Sequence, residues 1–237
     1  MLVTQEFTVK VDNQVILSDL HLDFGPGIHI IMGPNGVGKS TFAHGLMGNP
    51  NYDVSGAAQL NGKDLLDMET FERSRAGLFV SFQNPTPVEG LSNFQFVRQT
   101  MMSKDENVST IKKLTDFKGH AEVLGLPEDW DKKQLNVEAS GGQKKKNELI
   151  QMLMLDPQVV ILDEPDSGLD IDAIKDLIQT IKEFASRNKT IIIISHYERL
   201  INELDIESVV VLGKNKTKKG DVSLAHKVLQ EGFKDFE

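Results

Sequence analysis

The chain contains no cysteine. That excludes disulfides, thiol catalysis and thiolate ligation of a metal by this chain, and it fits a reducing cytoplasm. No apolar run approaches the ~20 residues that span a bilayer. The opening segment MLVTQEFTVKV has neither the basic stretch nor the apolar core of a secretory signal, so no membrane insertion is expected. Positive charge is in deficit: 26 Lys and Arg stand against 35 Asp and Glu, a net −9. That balance argues against nucleic acid or an anionic membrane as the main partner. Internal repeats, low-complexity tracts and long coiled-coil insertions are missing too. The 237 residues, 39% apolar and 26% charged, are those of an ordinary globular protein able to bury a sizeable core.

Residues 1–24 alternate apolar and polar side chains (Val3, Phe7, Val9, Val11, then Val15, Ile16, Leu20, Leu22), with Asp12-Asn13 as a turn. This predicts half-buried antiparallel strands. IHIIM (28–32) is a short apolar run followed by a Gly-rich loop and a helical pattern from Ser40. Gly56 to Gly62 reads as a strand and turn, and LFVSF (78–82) as a further strand ending at Gln83-Asn84-Pro85. Residues 86–138 have scattered charge and weak helical periodicity, broken by turn clusters at Lys104 to Asn107 and Leu126 to Asp129. Apolar strands then return at 159–163, 190–195 and 208–213, with a helix expected over 171–187. Strands apolar on both faces and alternating with helices predict a doubly covered, mainly parallel α/β sheet. Lys214 to Lys219 reads as a solvated basic hairpin turn.

Gly33-Pro34-Asn35-Gly36-Val37-Gly38-Lys39-Ser40, with Thr41 next, matches GxxxxGK(S/T) between an apolar strand and a helix. The glycines let backbone N–H groups wrap phosphates at a helix N-terminus, Lys39 reaches the β- and γ-phosphates, and Ser40 ligates Mg²⁺. Asp163-Glu164 closes the strand VVILD. Beside a phosphate loop, Asp163 is expected to hold Mg²⁺ through water and Glu164 to act as general base on the attacking water. Gln83 and His196 each follow a strand, placing them to touch the metal with its water and the γ-phosphate, respectively. Ser140-Gly141-Gly142-Gln143 opens a helix and offers a second anion site with no second phosphate loop to serve. The economical explanation is that it caps the γ-phosphate bound to another copy, in a head-to-tail dimer burying two ATP molecules.

Together these residues resemble the ATP-binding cassette (ABC) ATPases across nearly the whole chain. The match runs in order through Walker A at 33–40, the Q-loop Gln83, the signature at 140–143, Walker B at 159–164, the D-loop Ser167 to Asp170, and His196. The resemblance implies a P-loop core with a mainly parallel sheet, an N-terminal antiparallel β subdomain and an inserted helical subdomain. It implies one ABC domain over 1–237, with the core in 1–85 and 150–237 and the helical part in 86–149. ATP and Mg²⁺ are the implied cofactors, and Asp170 joins the ATP-binding set.

A narrower resemblance, to SufC-type ATPases of the SUF iron–sulfur cluster assembly system, rests on SGGQKKKNELIQM and ILDEPDSGLDID. Transporter ATPases usually carry Gln-Arg at Lys145-Lys146 and Thr-Ser-Ala or Thr-Ala-Gly at Asp166-Ser167-Gly168. The branch implies a cytoplasmic ATPase acting on a SufB/SufD-type scaffold, or on SufB alone. Departures are Ala139, where Leu or Phe is common, and Gln143, where SufC usually has Glu. Residues 10–20 also lack the aromatic on which most transporter ATPases stack adenine. Family geometry points to a partner groove from Pro85 to Phe96. Val88, Leu91, Phe94, Phe96 and Val97 are candidate anchors there, or equally lobe core. A nucleotide-binding subunit of a membrane transporter is the alternative reading.

Overall fold

A computed structural model describes residues 1–103, 109–214 and 216–236; the turn expected at Lys104 to Asn107 lies outside them. The chain forms two compact units. One comprises residues 1–80, 157–164 and 185–237, the other residues 81–156 and 165–184.

In the first unit, β1 (Leu2–Val11) and β2 (Gln14–Phe24) pair as an antiparallel hairpin, with Val11 opposite Gln14. Asp12 and Asn13 both take positive φ, the geometry of the two-residue turn that matches strand twist. β4 (Tyr52–Leu60) adds to β1 and turns through Asn61-Gly62 into β5 (Lys63–Asp64). A second, six-stranded sheet has the order β12-β11-β3-β10-β9-β6. β3 (Gly27–Met32), β6 (Leu78–Val80), β9 (Val159–Asp163), β10 (Thr190–Ile194) and β11 (Ile206–Leu212) run parallel, and β12 (Thr217–Gly220) is the antiparallel edge. Every residue of β9 and β10 is buried, as continuous apolar runs require when both faces are covered.

Between the sheets lies α1 (Lys39–Met47), whose Phe42 ring meets Phe7 edge-on at 5.6 Å and Phe24 at 6.5 Å. The end of α1 is closed by buried Arg73 of α2 (Thr70–Ala76). Its guanidinium donates to the carbonyls of Gly45 at 3.1 Å, Leu46 at 2.8 Å and Met68 at 2.9 Å. A cation on the last carbonyls of a helix satisfies orphan acceptors and the macrodipole together. α7 (Glu198–Glu203) and α8 (Val222–Glu231) complete this unit.

The second unit holds α3 (Asn93–Met102), α4 (Thr110–Val123), α5 (Gly141–Leu155) and most of α6 (Ile171–Ala185), with a short ladder between β7 (Val88–Ser92) and β8 (Gln134–Leu135). A buried polar network ties these helices. Asn147 Nδ2 donates to Asn93 Oδ1 at 2.9 Å and Asn136 Oδ1 at 3.3 Å, while Trp130 Nε1 donates to Asn147 Oδ1 at 2.9 Å. Val97 is core, and Phe94 stacks edge-on against Phe117 at 5.7 Å.

Several expected boundaries shift. The strand expected over 78–82 ends at Val80, because the N–H and C=O of Phe82 bond to side chains of α5 rather than to a neighbouring strand. The helix expected over 171–187 stops at Ala185, and the last strand begins earlier, at Ile206.

Candidate nucleotide site

The phosphate loop leaves β3 at Gly33 and enters α1 at Lys39. At Gly33, φ is 156° and a Cβ would lie 2.4 Å from the Leu212 carbonyl oxygen. At Gly38, φ is 104° and a Cβ would lie 2.7 Å from Leu17 Cδ2. Both the sign of φ and the space demand glycine at these two positions. Lys39 folds back over the loop, and its Nζ donates to the carbonyls of Gly33 at 2.8 Å and Pro34 at 3.0 Å. Burial pushes its ammonium pKa down, and the charges of Glu164 and Asp163 act against that shift. Ser40 and Thr41 follow in the first turn, half-buried.

Strand register gathers the other groups of this unit. Ile31, Ile194 and Asp163 occupy one row across β3, β10 and β9. Just past that row lie the phosphate loop, Ser195-His196 and Glu164. The Glu164 N–H donates to Ile194 O at 2.9 Å and the Ser195 N–H to Ile31 O at 3.3 Å, extending the ladder beyond the strands. The carboxyl edge of a parallel sheet is where ligands of open α/β folds bind. Asp163 is buried, Glu164 is half-buried with a left-handed φ of 46°, and His196 is exposed.

A groove of about 720 Å³ lies between residues 15–22 and the β11–β12 hairpin. Leu17 and Leu212, the residues that approach Gly38 and Gly33, line its two walls, so it opens beside the phosphate loop. Among the described residues its walls carry exposed Val15, partly buried Ile16 and the imidazole of His21, but no Phe, Tyr or Trp.

In the second unit, Ser140 caps α5. Its Oγ accepts from Gln143 N–H at 3.2 Å while Gln143 Oε1 accepts from Ser140 N–H at 3.0 Å. This reciprocal box uses Gln143 as a glutamate would be used, and it leaves the amides of Gly141 and Gly142 outside the intrahelical ladder. Ser140 to Gln143 and Asp170 line one pocket of about 340 Å³. Asp170 also caps α6, its Oδ1 accepting from Ala173 N–H at 2.8 Å. Gln83 is exposed and does not line that pocket.

Sequence reasoning missed the groove walls Leu17 and Leu212, the Asn147 network, and the roles of Lys145 and Glu148. A signal for the last two existed: they lie three apart on the buried phase of α5, where charge is rare unless it is bonded.

A family model described as "ABC transporter" matches residues 17–167. The chain is 38% identical to "Probable ATP-dependent transporter SufC" of Escherichia coli (strain K12), covering 98% of this chain and 97% of that protein. It is 37% identical to "Vegetative protein 296" of Bacillus subtilis (strain 168), covering 98% and 91%. In fold it is similar to "Dimeric structure of a post-hydrolysis state of the ATP-binding cassette MJ0796 bound to ADP and Pi", with a TM-score of 0.78 at 19% identity over 94% of this chain and 99% of that one. No helix among the described residues is long and apolar enough to cross a membrane. With its phosphate loop, its carboxylate pair on one sheet edge and these matches over most of its length, the chain belongs to the ABC family and is an ATP-binding, ATP-hydrolysing enzyme.

Proposed function

We propose that this ATPase is the energy-converting subunit of a cytoplasmic iron–sulfur cluster assembly complex, acting on a scaffold of the SufB/SufD type. The observation that carries the reading is the near-full-length similarity to SufC, together with Lys144 to Asn147 and Asp166 to Asp170. The absence of cysteine is compatible with that division of labour, because the scaffold and not the ATPase holds the cluster.

ATP is assigned to the first unit, with its phosphates in the Gly33–Ser40 loop under Lys39 and its base in the groove against Val15 and Ile16. The oxygen donors present suit Mg²⁺: the Ser40 hydroxyl and the Asp163 carboxylate, joined by the Gln83 amide oxygen. When bound, the ion neutralises charge developing on the phosphates. Glu164 takes a proton from the attacking water, and His196 donates to the γ-phosphate. Ser140 to Gln143 and Asp170 serve the nucleotide of a second copy, clamped head to tail, since the capped start of α5 leaves glycine amides for an anion. Phosphoryl transfer depends on positioning and charge stabilisation, so an unpaired copy is slow.

Phe82 and Val88 are exposed and form the proposed contact with the scaffold. Purification of the tagged chain from its native organism, with mass spectrometry of what co-purifies, tests the reading. A soluble scaffold of SufB/SufD type is expected. A multi-span permease as the stoichiometric partner would overturn it in favour of transport.

A further inference from the structure

Glu148 and Lys145 are charged side chains buried on α5, both directed at one residue. The Phe82 N–H donates to Glu148 Oε1 at 2.8 Å, and Lys145 Nζ donates to the Phe82 carbonyl at 2.9 Å. Withdrawing a carboxylate and an ammonium from water is costly, and side chains of these types are seldom buried without a specific bond. Here both bond the main chain of Phe82, a residue that is itself 47% exposed.

Gripping the N–H and the C=O of one residue fixes its place and the direction in which the chain leaves it. The next residue is Gln83. The same helix begins at the capped turn of Ser140 and Gln143. Five residues along it stands Lys145, and three further Glu148, so one rigid element carries both the signature turn and the grip on the Q-loop.

We propose that Glu148 and Lys145 are positioning residues for ATP hydrolysis, clamping the Phe82 backbone so that Gln83 is held in a set relation to the Ser140 turn. The proposal rests on the reading of Gln83 as a contact of the metal and attacking water. It adds a second function for the signature helix: besides presenting an anion site at its start, it fixes the loop that reports the state of that site.

The test is a double-mutant cycle on the full-length chain, read as steady-state ATP hydrolysis with kcat and KM separated. Glu148→Met should lower kcat by up to about 10²-fold, the scale set by a misplaced reacting group, with KM for ATP little changed. Glu148→Gln, which keeps the acceptor oxygen, should recover most of the loss. In a Gln83→Ala background the Glu148→Met effect should vanish, because residues acting through one another are not additive. Equal losses in both backgrounds would overturn the clamp and leave Gln83 standing. A Gln83→Ala variant with unchanged kcat would instead sink the Gln83 reading, and the clamp with it. If Glu148→Met does not fold, Lys145→Met enters the same cycle. Failure of both to fold would assign the pair to the fold alone and overturn the proposal.

Discussion

The amide of Glu164 donates to the carbonyl of Ile194 at 2.9 Å, tying the proposed general base to the strand that delivers His196. The two side chains are 32 positions apart in sequence, yet each begins one or two residues past a shared row of the sheet. Glu164→Gln keeps this backbone bond and removes the base. Hydrolysis should fall roughly 10²- to 10⁴-fold, the range for loss of a general base. With ATP and Mg²⁺ the variant should form a dimer with trapped nucleotide, seen by light scattering. A strictly monomeric variant without nucleotide would refute the sandwich for the free subunit; a dimer formed only with scaffold bound would confine it to the complex.

Ser140 is an N-cap and, by our reading, a phosphate ligand, and one substitution separates the two. Ser140→Asp retains a good capping oxygen but sets a carboxylate against the neighbour's phosphate. The melting temperature should hold while hydrolysis is lost. Ser140→Ala should cost about 0.5–2 kcal/mol of stability as well, measured by urea denaturation.

Among its described residues the groove has no Phe, Tyr or Trp on which to stack the base. Val15→Tyr supplies one, and an aromatic stack adds about 0.5–1.5 kcal/mol, roughly two- to tenfold tighter binding. Calorimetric titration with ATP reads it. Unchanged affinity would remove the base from this groove.

His29 lies buried in β3, its Nε2–H donating to Gly25 O at 2.9 Å and its Nδ1 accepting from Ser208 Oγ at 2.8 Å. Burial lowers its pKa below the ordinary histidine value. The unfolded chain therefore binds a proton between that lowered value and pH ~6.5 while the folded chain does not, so stability rises with pH across this window. Its contribution is full above ~6.5 and is lost as pH falls, with a slope of at most about 1.4 kcal/mol per pH unit. Urea midpoints from pH 5 to 8 should show this slope in the parent and a flatter one in His29→Leu.

Arg73 closes the helix that carries Lys39. Arg73→Met leaves the carbonyls of Gly45, Leu46 and Met68 without their cation, a loss of roughly 1.5–3 kcal/mol on the scale of a charged hydrogen bond. Denaturation should show that loss with ATP affinity little changed at low temperature. A stability within error of the parent would mean water replaces the cap.

The motifs at the front of each element were legible because they are local. A glycine pattern between an apolar strand and a helix needs no distant information, nor does Asp163-Glu164 at a strand end or a Ser-x-x-Gln capping box. The Asp12-Asn13 hairpin was legible for the same reason. What could not be read were bonds spanning long stretches of chain: His29 with Ser208 over 179 positions, and Phe82 with Glu148 over 66. The strand expected to run through Phe82 illustrates the difference. Its composition is that of a strand, but its last amide and carbonyl find side-chain partners that no local pattern reveals. Of the proposed anchors, Val97 was lost to the core and Val88 stayed exposed, a distinction that depends on packing within the lobe.

By itself, then, the sequence determined the motifs to which we assign the phosphate chemistry and the elements that present them, because spacing and period act within a few residues. Only tertiary structure decided that β10 lies between β3 and β9, which puts His196, the phosphate loop and Glu164 at one sheet edge. It also turned two lysine-rich-helix residues inward onto a single peptide, since strand order and burial are settled by contacts between segments far apart in the chain.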